Sequence, residues 1–596
     1  TDPNTAFARS VQTDLNGSYL LPLIPPGTNY QLTVEAKGFK SFTRTGIELQ
    51  LNQNARVDVG MEVGNVSENI EVQGNPPLVD TYSSAGGDTV ETQRITELPL
   101  NGRNVLQLAT ILPGVTFSQN PIALTGGDRN ANFVSVNGSR LNETDYQLDG
   151  MRFNGSYNHS GLDYPSPDAL AEFKLLTDSY PSEYGFWSGA IFTAITDSGS
   201  NTIHGDTWEF LRNDAFNARN FFSSTVPVLR QNQFGASIGF PILKNRLFGF
   251  ASYQGLRRRG TSIDSSFPLS AAERNGVFST PIIDPLTGHQ FPNNTIPVNR
   301  MNPVALKLLN QYIPVAPATN GGLLVTTGSD PTNVDQYVGK TDAILTSKDT
   351  ASATYFFDRT TLSNPFNVGP YSSYGIMSQD QVVWVLALNE THNFSPSLIN
   401  QYRGGLSGQE ETHSCNTKTT PADLGINIQE QGPPQPPDIA VAGRFSLGSG
   451  GTCSWIEGGT NWQAADSLIW VKGRHNLTFG LDIYHERFHL GTGFFDPGYF
   501  VFDGAFTGSS AADFLLGRED NVTRRSLVDL GMQNWNQGYF VQDDFKASKR
   551  LTLNLGLRYE LLSPFGEYVG PTVSYIGIAQ NATFRYGQQS TIIPTA

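Results

Sequence analysis

Apolar and polar side chains alternate in many runs between residue 201 and residue 596. Clear examples are the runs 233–242, 476–484 and 551–560, in which every second residue is apolar and the intervening residues are polar or glycine. Because neighbouring side chains of a strand point to opposite faces, this alternation predicts amphipathic strands with one apolar face. We predict about eleven such strands.

Short and long connections alternate between these predicted strands. The short turns are predicted at 244–246, 347–349, 394–396, 472–474 and 547–550, and the long connections at about 257–335, 409–460 and 491–535. In an antiparallel sheet, this alternation places every short turn at one rim and every long loop at the other. That arrangement is typical of outer-membrane barrels, and it predicts an antiparallel transmembrane β-barrel over residues 201–596. The chain ends without a terminal aromatic strand, so we expect only the N-terminal half of the barrel to be present.

The first 200 residues have a different rhythm. Short predicted strands at 17–21, 30–36, 41–50 and 55–63 are separated by turn-forming residues, which predicts a small β-sandwich over residues 1–74. The sequence pattern of residues 76–200 predicts a mixed α+β domain. Its predicted elements are a helix-like stretch at 90–112, strands at 133–137, 146–148 and 188–196, and a strand or helix at 167–178. The predicted fold class is therefore mainly β, in three domains.

The net charge argues against a nucleic-acid partner, and the hydropathy argues against a membrane-spanning helix. The net charge is −15 and the isoelectric point about 5.0, so a nucleic-acid partner is not expected. The longest apolar run, 382–388, is too short for a membrane-spanning helix, which needs about 20 residues, whereas barrel strands need only about 9–11. The first residues are polar and resemble the middle of a domain, so we also expect the N-terminus to be truncated.

The residues carry a resemblance to a known family. The stretch DLNGSYLLPLIPPGTNYQLTVEAKGF resembles the carboxypeptidase-regulatory-like domain, which is transthyretin-like. The segments ITELPLNGRNVLQLATILPGV, FVSVNGSRLNETDYQLDGM, PDALAEFKLLTDSYPSEYG and TDSGSNTIHGDTWEFLRNDAFNARNFF are similar to the plug and first barrel strand of TonB-dependent receptors of the Oar-like group. The resemblance covers essentially the whole chain.

The resemblance implies energised transport of a large ligand across the bacterial outer membrane, with the sandwich and plug on the periplasmic side. The implied partners are the TonB–ExbB–ExbD inner-membrane complex, outer-membrane lipid, and a ligand such as an oligosaccharide, peptide or metal chelate; a carbohydrate is one expectation. TonB would grip a short segment, the TonB box, by strand addition. The candidate box is Glu68, Asn69, Ile70, Glu71, Val72, Gln73 and Gly74. The same residues also fit the last strand of the sandwich or a plain linker.

Two cysteines, Cys415 and Cys453, lie in one long polar stretch. In an oxidising compartment they would pair and close a surface loop, and the alternative is two unrelated thiols.

No cofactor, metal or catalytic residue is predicted. His485-Glu486-Arg487-Phe488-His489 matches the H-E-x-x-H zinc motif, but it continues an alternating strand, where residues four apart lie about 13 Å from each other.

Two further hypotheses concern a calcium site and functions other than transport. Asp128, Asp145, Asp149 and Asp163 could offer oxygen ligands to calcium, although their spacing fits solvated turns better. For function, the alternatives to transport are a surface adhesin or structural protein, or an exporter of a protein cargo. The prediction is that the chain is not an enzyme.

Overall fold

A computed structural model describes most of the chain. The described residues are 1–5, 7–13, 27–49, 57–64, 69–73, 85–91, 103–119, 132–219, 226–366, 374–415, 419–428, 430–448, 455–493, 495–524, 528–548, 550–569, 582–583 and 593–594, with the single residues 17, 19, 21, 24, 55, 369, 371, 450 and 453. None of the described helices has the length and hydrophobicity that crossing a bilayer requires.

The N-terminal region forms a three-stranded sheet in the order β1-β2-β3. Its strands are β1 (Gly27–Val34), β2 (Ser41–Leu49) and β3 (Asn69–Gln73). The predictions at 30–36 and 41–50 are confirmed within a few residues. The predicted strands at 17–21 and 55–63 lie partly outside the described residues, and their described residues are not in strands apart from a bridge at Val63. Strand β2 has two edges, and β1 and β3 occupy both, so no third strand can pair with it.

The second region is an α+β unit around a five-stranded sheet in the order β4-β9-β10-β7-β8, with a separate β5-β6 pair. Its elements are β4 (Gly86–Glu91), a 3₁₀ helix (Val105–Ile111), β5 (Val115–Gln119), β6 (Asn132–Val136), β7 (Asp145–Leu148), β8 (Met151–Arg152), a 3₁₀ helix (Pro167–Ala169), β9 (Leu170–Asp178) and β10 (Ile191–Thr196). The predicted helix-like stretch at 90–112 is wrong at residues 90–91, which belong to β4 and pair with β9, and its residues 92–102 lie outside the described residues. The 3₁₀ helix begins only after Asn104, whose side chain accepts a hydrogen bond from the Leu106 amide.

The third region is one large antiparallel sheet of twelve strands, which contains the path of about eleven strands that the alternation predicts. Its strands are β11 (Thr207–Asn213), β12 (Leu229–Leu243), β13 (Leu247–Ser266), β14 (Leu324–Ile344), β15 (Asp349–Asn364), β16 (Met377–Ser395), β17 (Leu398–Cys415), β20 (Trp455–Lys472), β21 (His475–Thr492), β24 (Val528–Ser548), β25 (Leu551–Leu562) and β26 (Gly566–Val569). A 3₁₀ turn at Asp214–Phe216 lies between β11 and β12. All five predicted tight turns are confirmed. Among the described residues the sheet is open: β11 pairs with β12 and β25 pairs with β24, and the two edge strands β11 and β25 do not pair with each other.

The two faces of this sheet have opposite polarity. Apolar residues such as Ile238 and Leu557 are 46% and 70% exposed on the outer face, whereas Gln233 and Asp482 are buried on the inner face. A wall that is apolar outside and polar inside is the arrangement of a barrel in lipid. The α+β unit fills the inner side, and we call it the plug. Its apolar core includes inward residues of the wall, among them Phe250, Phe356 and Val385.

At the rim opposite the short turns, four long loops fold together into a unit that we call the cap, which comprises the described residues within 267–323, 365–376, 416–454 and 493–527. Its elements are α1 (Ala271–Arg274), α2 (Pro303–Gln311), α3 (Pro421–Leu424), α4 (Ser510–Leu516), 3₁₀ turns at Pro292–Asn294, Val298–Arg300 and Asn320–Gly322, and a mixed sheet of β18 (Asp438–Val441), β19 (Phe445–Leu447), β22 (Tyr499–Phe502) and β23 (Asn521–Thr523). Buried residues from all four loops, such as Leu269, Tyr374, Phe445 and Phe514, share one apolar core. Two short strands, β27 (Ala582–Thr583) and β28 (Ile593–Pro594), pair near the C-terminus.

Candidate functional site

A buried arginine of the plug forms the centre of the plug–wall interface. Asp149 and Gly150 both have positive φ, 47° and 83°, and they form the tight turn between β7 and β8 that places Arg152 on the inner wall. The Arg152 guanidinium donates to both carboxylate oxygens of Asp482 on β21, at 2.7 and 3.2 Å. Its Nε also lies 3.5 Å from Asp145 Oδ2. One cation of the plug is thus shared between a plug carboxylate and a wall carboxylate.

Burial determines the charge state of this cluster. Desolvation raises the pKa of Asp145 to about 6, although Arg152 and a hydrogen bond from Gln147 oppose the shift. Burial on its own would lower the pKa of Arg152, but Asp482 and Asp145 outweigh it, so the pKa is raised and the guanidinium stays charged. The plug therefore keeps a permanent cation against the wall, next to a carboxylate that titrates just below neutral pH.

A second set of ionic contacts follows along the plug segment 181–187. Arg403 of β17 lies 2.9 Å from Glu183, and Arg558 of β25 donates to the Glu183 carbonyl at 3.0 Å. The amide of Phe186 donates to Glu560 of β25 at 2.7 Å. Together with Asp482, these contacts join the plug to strands β17, β21 and β25. We call this part of the interface the ionic half.

The opposite part of the plug surface makes mainly apolar contacts, with β13–β16, and we call it the apolar half. The ring of Phe153 packs edge-on against Phe356 at a centroid distance of 5.8 Å. Polar contacts also cross this half. Lys340 Nζ donates to the Thr196 carbonyl at 2.8 Å, the Gln336 amide donates to the Tyr164 carbonyl at 3.1 Å, and the Asn389 amide donates to the Asp149 carbonyl at 3.1 Å.

Above the ionic cluster, the tip of the plug meets an acidic part of the inner wall, which we call the upper lumen. Tyr157 packs against Phe488 of β21 at 5.9 Å, and His159 Nδ1 lies 3.9 Å from Glu486. Glu411 of β17 and Glu457 of β20 are register partners and are 0% and 2% exposed. The arrangement brings aromatic rings and carboxylates together at the level where a ligand entering from the cap side would meet the plug.

The candidate TonB box lies in the N-terminal sheet. Asn69, Ile70, Glu71, Val72 and Gln73 form β3, which pairs in parallel with β2 in the register Phe42↔Ile70 and Arg44↔Val72. Glu68 and Gly74 lie outside the described residues. In this conformation, the segment already serves as a sheet strand.

Cys415 and Cys453 form a disulfide with a Cα–Cα distance of 4.9 Å. Glu411↔Glu457 and His413↔Trp455 are successive partners of β17 and β20, and Cys415 and Cys453 are the next positions in the same register. The bond therefore joins the last residue of β17 to the residue two positions before β20, at the base of the cap.

The H-E-x-x-H residues lie within β21, as the alternation predicts. His485 and His489 share the outer face, where the ring of His485 lies 4.4 Å from that of Trp535 and His489 Nε2 lies 2.6 Å from Asp529. Glu486 points to the inner face. On an extended strand the two histidines lie about 13 Å apart along the chain, which is too far for one zinc ion.

Other possible metal ligands are distributed as follows. Asp145 faces Arg152, Asp149 accepts hydrogen bonds from Thr196, Asp163 accepts one from Asn132, and Asp128 lies outside the described residues, so the described members of this set are bonded to protein groups. Among the described residues, Asp349, Glu390 and His392 place possible ligand atoms within 4.8 Å of one another near the rim of short turns.

Sequence reasoning missed the ionic half. Its residues carried one usable signal: Asp482, Arg558 and Glu560 occupy the polar positions of alternating strands, so they had to face the lumen. Arg152 follows an Asp-Gly turn between apolar residues, a position at which a charge needs a partner. No pattern in the sequence indicates which of these charges meet.

The chain is similar to known proteins over three segments. Residues 1–62 match the carboxypeptidase regulatory-like domain, residues 83–190 match the TonB-dependent receptor plug domain, and residues 195–591 match a family described as an outer membrane beta barrel domain. The TonB-dependent transporter Oar of Myxococcus xanthus is 26% identical over 610 residues, which cover 95% of this chain and 56% of that protein.

One solved structure shows the same fold: the outer membrane transporter YddB from Escherichia coli has a TM-score of 0.50 at 13% identity, covering 81% of this chain and 57% of that chain. The chain is also similar to the receptor FpvA of P. aeruginosa, bound to heterologous pyoverdines, with a TM-score of 0.46 at 12% identity, covering 82% of this chain and 53% of that chain. The chain thus spans little more than half the length of these relatives.

Proposed function

Because this chain belongs to the outer membrane beta barrel domain family, which matches residues 195–591, we propose that it acts as a TonB-dependent receptor that takes up a large ligand. The same membership and the plug domain place the chain in the bacterial outer membrane. The family is one of receptors and transporters, and the HERFH motif supports no competing zinc chemistry.

The observation that carries the proposal is the plug itself. A folded unit inside the wall is useful for transport only if it can be displaced, and its ionic half is suited to displacement. The groups of Arg152, Asp482, Arg403 and Glu183 can exchange protein partners for water once the interface is hydrated. A purely apolar interface would lose its burial without a comparable replacement.

For coupling, we propose Glu68–Gly74 as the TonB box and the TonB–ExbB–ExbD complex as the partner. Strand addition uses main-chain hydrogen bonds, so a segment that already forms a strand is competent for it. Because β3 is paired with β2, TonB would have to take β3 from β2. Release of β3 is thus the step at which the N-terminal sheet would control coupling.

For the ligand, we propose a carbohydrate as the first class to test. The upper lumen combines aromatic rings with carboxylates and amides, and these are the groups that stack on sugar rings and accept hydrogen bonds from hydroxyls. Trp455, Phe488 and Glu457 are examples.

The experiment measures binding of the full chain in detergent to the periplasmic domain of the host's TonB. The test variant T43C/E71C locks β3 to β2 through a register pair, and L32C/R44C places the same bond between β1 and β2 as a matched control. We expect T43C/E71C to lose binding when oxidised and regain it on reduction, whereas L32C/R44C binds in both states. Binding by oxidised T43C/E71C would exclude Glu68–Gly74 as the box.

The cap favours a second candidate, a surface adhesin. Four loops that share an apolar core present a stable outer surface that needs no transport to be useful. Deletion of residues 68–74 separates the two functions: uptake should be abolished, whereas adhesion should survive.

A further inference from the structure

The outer face of the wall carries two neighbouring arginines, Arg230 of β12 and Arg259 of β13, which we call the arginine pair. Arg230 shares the outer face with Ile238, because the two residues lie an even number of positions apart on one strand. Arg259 is the direct register partner of Arg230, and both residues are exposed. Like charges directly opposite each other destabilise a strand pair, so this position favours an anion between the two guanidinium groups.

Within the described part of the chain, neither guanidinium of the arginine pair forms an ion pair. Arg259 Nη1 donates to two neutral acceptors, the Asn333 side chain at 2.8 Å and the Arg258 carbonyl at 2.8 Å. The Arg230 side chain makes no hydrogen bond to the described residues. Asp214, near the start of β12, accepts a hydrogen bond from the Leu229 amide. The wall thus holds Arg259 in place and leaves N–H donors of both arginines for a further acceptor.

Other arginines on this face are neutralised locally. Arg257 donates to Asp335 at 2.7 Å, and Arg359 donates to both oxygens of Asp380, at 2.6 and 3.0 Å. The arginine pair differs because both of its charges are unmatched, in a chain whose net charge is −15. Unmatched positive charge at one place on an acidic protein attracts an anionic partner to that place.

Aromatic rings show the height of the arginine pair on the wall. On the side of the short turns, a row of rings crosses four strands of the outer face, with successive centroids 5.1–6.3 Å apart: Phe234, Tyr253, Tyr337 and Phe357. Beyond the rings, the outer face of β12 stays apolar, with Ile238 and Ile242 exposed. Aromatic girdles lie at the two interfaces of a membrane barrel. The arginine pair therefore lies on the long-loop side of a girdle, at the level of the lipid headgroups.

We propose that the arginine pair binds the phosphate groups of a phosphorylated glycolipid in the outer leaflet of the membrane. Guanidinium groups match phosphate oxygens well, because each can donate two parallel N–H bonds. The apolar band beyond the rings favours a lipid over a free anion, because it offers a surface for acyl chains directly below the phosphate. This inference goes beyond the proposed function, because it concerns the outer surface and holds for an adhesin as well as for a transporter.

The test compares two lipids with the same acyl chains, diphosphorylated lipid A and the same lipid without its phosphates. The delipidated full chain in detergent is titrated with each lipid, and native mass spectrometry measures the bound fraction. We expect the phosphorylated lipid to bind at least about tenfold more tightly, because charge-assisted hydrogen bonds are the stronger ones. Equal binding of the two lipids would overturn the proposal. Complete displacement of the phosphorylated lipid by inorganic phosphate would overturn it too, since the site would then take a free anion.

Variants assign the contact to the arginine pair. R230Q/R259Q removes both unmatched charges, and we expect it to weaken binding of the phosphorylated lipid about tenfold or more and to leave the dephosphorylated lipid unaffected. K244Q/R246Q is the matched control, because it removes two exposed positive charges from the same hairpin at its short-turn end.

Heat-modifiable migration on gels checks the fold of each variant. R230Q alone is a second variant with a smaller expected loss, and it keeps the fold because its side chain makes no hydrogen bond to the described residues. Undiminished binding by folded R230Q/R259Q and R230Q, or an equal loss in K244Q/R246Q, would contradict the assignment.

Discussion

The two halves of the plug–wall interface are built from opposite kinds of contact. Towards β13–β16 the plug presents rings and aliphatic groups, of which Phe153 against Phe356 is typical. Towards β17, β21 and β25 it presents Arg152 and Glu183 to charged partners. Apolar contact is lost outright when water enters, whereas ionic groups regain much of their energy by hydration. We therefore expect the plug to separate from the wall first along the ionic half, with the apolar half as the pivot.

The largest expected effect comes from removing the shared cation. R152A removes the cation that Asp145 and Asp482 share and leaves Asp482 with only the more distant Arg558, at 3.7 Å, so we expect it to cost about 3–5 kcal/mol of unfolding free energy. Chemical denaturation of the purified chain measures it. R359A removes an exposed outer ion pair with Asp380 and should cost less than about 1 kcal/mol. Similar losses for the two variants would show that burial does not distinguish these pairs.

The pH dependence of the plug sharpens the same comparison. The folded pKa of Asp145 is about 6, above its ordinary value of 3.8, so the folded state binds a proton more tightly than the unfolded state. Asp145 therefore lowers stability fully above about pH 6, and this cost disappears as pH falls towards 4. We expect D145N to be more stable than the wild type at neutral pH, by an amount on the order of 1–3 kcal/mol that shrinks in acid. A constant difference across this range would assign the pKa shift elsewhere.

Salt should separate the halves kinetically. A cysteine at Ser182 reports on the ionic half and a cysteine at Ala169 on the apolar core of the plug. Raising ionic strength screens the ionic contacts, so the labelling rate of S182C should rise about two- to tenfold, whereas that of A169C should not. Equal acceleration at both positions would mean that the plug opens as one body.

The alternation of side chains was sufficient to predict the barrel, because a strand can hide only one face and the period of two is read directly from the sequence. Runs such as 476–484 therefore predicted both the strand and its outward face. The plug was harder: the stretch 90–112 has helical spacing, yet β4 takes its first residues as a strand because β9 offers an edge. Tertiary pairing decides such cases, and local spacing does not report it.

The candidate site was predictable only in part. The polar positions of β21 and β25 indicated that Asp482 and Arg558 face the lumen, but their pairing with a plug residue more than 300 positions away depends on how the plug docks. The cap was missed for a related reason. Its apolar residues, such as Leu269 and Phe514, are scattered through Gly- and Pro-rich loops and form a core only when four loops meet.

The smallest expected effect concerns a polar contact inside the apolar half. Asn389 donates to the Asp149 carbonyl at 3.1 Å, close to the turn that positions Arg152. N389A removes a neutral hydrogen bond, so it should cost about 0.5–1.5 kcal/mol and leave the salt dependence of S182C labelling unchanged. The measurement is denaturation together with labelling. A loss as large as that of R152A would mean that the Asp149–Gly150 turn, rather than the buried ion cluster, holds the plug in register. In that case the ionic half would be a consequence of plug docking and not its cause.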